Sequence, residues 1–158
     1  MAERLLIMRH GEASPGSPDI YRPLTERGLD ETRRVGAWLA GRDDLAGLRL
    51  LASPYRRARQ TADAIAEALG HEVESLSILT PDDPPQAVVD WLLEQAGQGP
   101  LMLVSHMPLV GALAGLLVEG RDDRGPGFPT AAVAELTAEV WAAGCARLVR
   151  FTAPADLA

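Results

Sequence analysis

The sequence of 158 residues predicts an α/β protein: a three-layer sandwich with a mostly parallel central sheet flanked by helices, and antiparallel edge strands at the C-terminus. Three observations predict it. Short continuous apolar runs such as Leu5–Met8 and Leu101–Ser105 read as strands covered on both faces of a sheet. Stretches with apolar residues three or four apart alternate with those runs, as helices packed on a parallel sheet do. The last two strand-like segments, Ala131–Thr137 and Cys145–Thr152, are joined around Gly144 and form the antiparallel edge.

Taken in order, Leu5–Met8 is the first strand. Thr25 or Glu26 to Ala40 is a helix with Leu29, Thr32, Gly36 and Leu39 on one face and Gly41 as its stop. Leu48–Ser53 is the second strand. A helix follows from Pro54, with Ser53 as cap, Pro54 at the first helical position and Gly70 at its end. Its core face is Ala58, Ala62, Ile65 and Leu69. Val73–Leu76 is a short strand, and Pro85–Ala96 a helix with Val88, Trp91, Leu92 and Gln95 at helical spacing. After the strand Leu101–Ser105, Pro108 starts a helix to about Glu119, and Gly120–Thr130 is a loop. Trp38, Trp91 and Trp141 are expected to pack.

Composition limits what such a domain can do. With 47% hydrophobic and 23% charged residues and no linker or repeat, residues 1–158 are expected to form one domain. The single cysteine, Cys145, excludes an intramolecular disulfide framework and fits a reducing compartment. The apolar run near the N-terminus is too short for a signal segment or a membrane span, so a cytoplasmic location without membrane contact is expected. A net charge of −7 argues against nucleic acid as partner. All fifteen basic residues are arginines, whose planar fork suits phosphate.

Charged residues gather where strands end. Ligands of open α/β sheets bind at the carboxyl ends of the strands. Three exits here carry Arg9-His10-Gly11, Ser53-Pro54 leading to Arg57, and Ser105-His106. Two histidines, two arginines and a helix N-terminus describe a phosphate site. Neutral His10 suits in-line attack on phosphorus, and a protonated His106 would oppose the charge that builds there. No cofactor is expected, and no metal: the carboxylates are dispersed and two histidines make a poor zinc site.

These segments resemble a family. "LLIMRHGEA", "SPYRRARQT" and "LMLVSHMPLV" are similar, in order, to the three strand-exit motifs of the histidine phosphatase superfamily. "YRPLTERG" at Tyr21–Gly28, "LTP" near residue 80 and "SHMPLVG" resemble its SixA-type phosphohistidine phosphatase branch. The resemblance spans residues 5 to about 152. It implies His10 as nucleophile, Arg9, Arg57 and His106 as the rest of the phosphate pocket, and Arg22 as a further arginine lining it. Larger members insert a lid between the second and third motifs, where this chain has only about fifty residues. An open site suits a phosphorylated side chain on a protein better than a small sugar phosphate.

The expected activity is therefore hydrolysis of phosphohistidine on a signalling or phosphotransfer protein, such as a phosphotransfer domain, by a monomer working through phosphorylated His10. A small-molecule phosphomonoesterase and a non-catalytic phosphoprotein-binding module are the alternatives. Relatives often carry an acid after the middle strand. Asp82 and Asp83 fall in that region, without a matching motif. Glu12 either touches the site or faces solvent. Arg56 and Arg59 read as solvated helix charge, His71 as exposed, and Arg121–Gly125 as a solvated loop.

Overall fold

The apolar runs and amphipathic stretches become six strands and four helices in a computed structural model that describes residues 2–157. In chain order these are β1 (Glu3–Arg9), α1 (Glu26–Ala40), β2 (Arg49–Ala52), α2 (Arg56–Leu69) and β3 (Val73–Ser75), followed by α3 (Pro85–Glu94), β4 (Leu101–Ser105), α4 (Leu109–Glu119), β5 (Val133–Ala138) and β6 (Arg147–Thr152). The strands make one sheet in the order β3-β2-β4-β1-β5-β6. β1 and β2 both run parallel to β4, and β3 runs parallel to β2. β5 is antiparallel to β1 and to β6. The antiparallel pair thus continues the sheet from its central strand, and β6 alone is the C-terminal edge.

Side-chain alternation splits the core into two layers. Leu5 and Ile7 of β1 and Leu101 and Leu103 of β4 face one way, against Val88 and Leu92 of α3 and Leu109 and Leu113 of α4. Leu6, Met8, Met102 and Val104 face the other, against Val35 and Leu39 of α1 and Ala58, Ala62 and Ile65 of α2. Each fully buried leucine or isoleucine contributes about 2 kcal/mol by leaving water. Trp141 is buried, while Trp38 and Trp91 pack against the two layers from outside. Among the described residues no helix is long and apolar enough to cross a membrane.

Local chemistry fixes the element ends, with some departures from expectation. Thr25 caps α1 by accepting from the Gly28 amide. The buried face of α1 is Gly28, Thr32, Val35, Gly36 and Leu39, so Val35 is inside and Leu29 only half-buried. α2 begins at Arg56 rather than Pro54, and Tyr55 is its N-cap residue. Ser53 does not cap it; its hydroxyl accepts from the Tyr55 amide at 3.2 Å and serves another group described below. Gly70 ends α2 in the left-handed conformation, with φ 71°. α3 stops at Glu94, two residues early, and β5 starts at Val133 because Ala131, at φ 63°, cannot continue a strand.

Candidate active site

Strand register brings the three exits together. Arg9 of β1 pairs with Ser105 of β4, so His10 and His106 leave neighbouring strands at one level. Ala52 of β2 pairs with Val104, which puts Ser53 beside them. The backbone N–H of His10 donates to Ser105 O at 2.9 Å and that of Ser53 to Val104 O at 3.0 Å, extending both parallel ladders by one residue. The two imidazole centroids lie 5.0 Å apart, edge to face. Both rings are buried.

His10 has one nitrogen tied down. Its Nδ1 lies 2.7 Å from the Gly11 carbonyl, an acceptor, so Nδ1 carries the proton and Nε2 keeps its lone pair. The Arg57 Nε–H donates towards that Nε2 at 3.3 Å. Burial first, then the positive charges of Arg57, Arg9 and Arg22, push the His10 pKa down to about 4, against the opposing bond to Gly11. A neutral imidazole with its lone pair turned towards arginines has the form that attack on an anionic phosphoryl group needs.

His106 places Nε2 at 2.8 Å from the Ser53 hydroxyl, and its ring meets the edge of Tyr55 at 5.0 Å. Burial, and then the charges of His10 and Arg57, lower its pKa to about 3. It is therefore neutral in the free protein, in contrast to the protonated form suited to transition-state charge. A phosphate dianion alongside would favour the protonated form.

Arg57, the second residue of α2, is 5% exposed and almost fully engaged. NH1 donates to Asp19 O at 2.8 Å and NH2 to the Asp19 carboxylate at 3.1 Å. Arg22 donates from NH1 to the other Asp19 oxygen at 2.9 Å and from Nε to Ser14 O at 2.7 Å. The two guanidinium groups hold the Asp19 carboxyl below its ordinary range, Arg22 most strongly. Arg9 donates from NH1 to Phe128 O at 2.7 Å, and burial followed by the like charge of Arg57 lowers its pKa. Arg9 Nε and His106 Nδ1 are buried without a hydrogen-bond partner among the described residues, a cost that an oxyanion would relieve.

Glycines let the backbone close around these groups. A Cβ on Gly11 would sit 2.8 Å from Gly28 O, and one on Gly28 would sit 2.1 Å from Glu12 O. The Gly11 amide donates to Thr61 Oγ1 at 3.0 Å, and Thr61 donates to Arg57 O at 2.7 Å, linking the loop after β1 to α2. Ala131 N–H bonds the carbonyls of Arg9 and His10 at 3.1 and 3.0 Å, which accounts for its left-handed conformation.

Arg9, His10, Arg22, Arg57 and His106 are thus gathered at one end of the sheet. The three other candidates are not. Glu12 accepts from the Thr25 hydroxyl at 2.8 Å and so braces the start of α1. Asp83 accepts from the Thr80 amide and hydroxyl, closing its own turn, and Asp82 is exposed. Two participants escape sequence reasoning. Asp19 sits in a loop with no periodic pattern, and only its spacing of three from Arg22 hints at a pair. Ser53 resembles a helix cap, which hides its bond to His106.

A model of the histidine phosphatase superfamily (branch 1) matches residues 5–80. The phosphohistidine phosphatase SixA of Escherichia coli K12 is 37% identical over 139 residues, covering 85% of this chain and 84% of that protein. A phosphohistidine phosphatase SixA homolog of Haemophilus influenzae is 34% identical over 131 residues, covering 75% of this chain and 79% of that protein. A solved structure of the protein histidine phosphatase SixA complexed with tungstate matches with a TM-score of 0.88 and 32% identity, covering 98% of this chain and 99% of that one.

Proposed function

The chain belongs to the histidine phosphatase superfamily, and from that membership we propose that it is a phosphohistidine phosphatase acting on a signalling or phosphotransfer protein. The observation that carries the mechanism is the 2.7 Å contact from His10 Nδ1 to Gly11 O, which leaves Nε2 unprotonated beside Arg57. Arg9, Arg22 and Arg57 bind the phosphoryl oxygens, supplying from the protein itself the positive charge the reaction needs. His10 Nε2 attacks phosphorus as the bond to the substrate imidazole breaks. The electron pair of that bond stays on the departing nitrogen, which takes a proton from water. Water then attacks the phosphoryl group on His10, the new P–N bond breaks, and phosphate leaves. His106, made basic by the bound dianion, donates to a phosphoryl oxygen in both steps.

The carboxylates support an imidazole leaving group over an alkoxide. Asp83 is committed to Thr80 and Asp82 faces solvent, so neither is held as a general acid. The reading carries with it a cytoplasmic monomer in signal transduction, which the lone cysteine Cys145 suits.

The test incubates wild type and His10→Ala with a histidine-phosphorylated phosphotransfer domain and a panel of phosphomonoesters. Wild type is expected to strip the phosphohistidine and to form an acid-labile, base-stable phosphoenzyme, which His10→Ala does not. Turnover of a small ester with the phosphoprotein untouched would make it a small-molecule phosphomonoesterase. Binding of the phosphoprotein without hydrolysis would make it a recognition module.

A further inference from the structure

Next to the site the chain leaves two large apolar side chains in water. Ile20 is 39% and Tyr21 64% exposed, and Tyr21 is the most exposed of the large apolar side chains among the described residues. Both belong to a single 3-10 turn, Asp19–Tyr21, none of whose residues is buried. The turn is nevertheless fixed. Asp19 ties it to Arg57 and Arg22, and Tyr21 O accepts from Arg56 at 3.4 Å. A rigid knob of this kind loses little freedom on binding.

Its place decides what covers it. A phosphorylated imidazole holds its own backbone within one side chain's length of phosphorus. A phosphohistidine held between His10 and Arg57 therefore brings the surface around it against whatever rims Arg57, and the Asp19–Tyr21 turn is bonded to Arg57. Charge points the same way. Arg56 is exposed and, among the described residues, has no carboxylate within 4.0 Å, whereas Arg22 and Arg59 each have one. In a chain of net charge −7 this end of the sheet is locally basic.

We propose that Ile20 and Tyr21 are the docking surface for the protein that carries the phosphohistidine, packing on an apolar patch beside it while Arg56 pairs with an acidic side chain. The proposal rests on the phosphohistidine reading above and adds that the enzyme recognises the protein, not the phosphorylated side chain alone. Tyrosine at the centre of a contact is among the residues whose loss weakens binding most.

The experiment compares wild type, the double variant Ile20→Ser/Tyr21→Ser, and Arg56→Glu on a histidine-phosphorylated phosphotransfer domain and on free phosphohistidine. Both variants are expected to lower kcat/KM on the domain tenfold or more, chiefly through KM, and to hydrolyse free phosphohistidine as wild type does. Unchanged kinetics on both substrates would overturn the proposal. An equal fall on both would overturn it too, since the turn would then act by holding Asp19 against Arg57. Wild type inert towards both would instead remove the phosphohistidine reading itself, a result the variants do not produce.

Discussion

Lowering the pH from 7 to 5 should destabilise this protein through two imidazoles rather than through its carboxylates. His10 and His106 are 7% and 1% exposed, and their pKa values fall from an ordinary 6.5 to about 4 and about 3. Below pH 6.5 the unfolded chain takes up two protons that the folded chain refuses, so acid favours unfolding. Above 6.5 both states are neutral and the effect vanishes. It stops growing once pH passes the folded-state values. Each histidine costs about 2 kcal/mol between pH 7 and 5. The pair costs somewhat less than twice that, because the rings are 5.0 Å apart and His10 contributes to the lowering at His106. Against a total stability of about 5–15 kcal/mol this is a large change. Carboxylates held low by arginine, such as Asp44 at about 2, titrate only in stronger acid. Urea titrations at pH 7 and 5 on wild type, His10→Asn and His10→Asn/His106→Asn measure the effect. The wild-type midpoint should fall steeply with pH, the single variant by half or less of that, and the double variant hardly at all. Equal losses in wild type and double variant would mean that the imidazoles are not neutral and desolvated in the fold.

Arg57→Lys keeps the charge but loses the fork that reaches His10 and Asp19 at once, and kcat/KM should drop about 100- to 1,000-fold in steady-state assays. Gly28→Ala places a methyl 2.1 Å from Glu12 O, a backbone atom that cannot swing aside. It should cost about 1–3 kcal/mol in urea and reduce turnover by displacing Gly11 beside His10. Gly127→Ala, where a Cβ meets nothing within 4 Å, should leave both unchanged and serves as the control.

Sequence reading reaches furthest where chemistry and pattern coincide. Arg9, His10 and His106 follow continuous apolar runs, so their place at strand ends was legible, as was Arg57 in the first turn of a helix after such a run. The antiparallel C-terminal pair was legible from two adjacent β-like segments, but not that β5 would lie against β1. Asp19 was not legible, because its partner Arg57 is 38 residues away and no periodicity links a loop to a helix. The same holds for Glu135. It lies within an apolar strand segment yet is fully buried, bonded by Arg42, 93 residues distant, at 2.6 and 2.9 Å. Arg4 adds an ion pair at 3.1 Å. Long-range pairs of this kind depend on topology, which a local reading does not contain.

The placing of β1 between β4 and β5 means that both of its sheet neighbours come from far along the chain. The strand that leads into His10 has no sheet neighbour until Leu101–Ser105 has left the ribosome. Its other side stays open until Val133–Ala138 follows, and Arg9 waits for Phe128 O. A nascent chain stopped in its first half has the Arg57–His10 and Gly11–Thr61 contacts to draw on but no neighbouring strand to hold β1 in place. The site is therefore fixed only when the central sheet closes, late in the making of the chain.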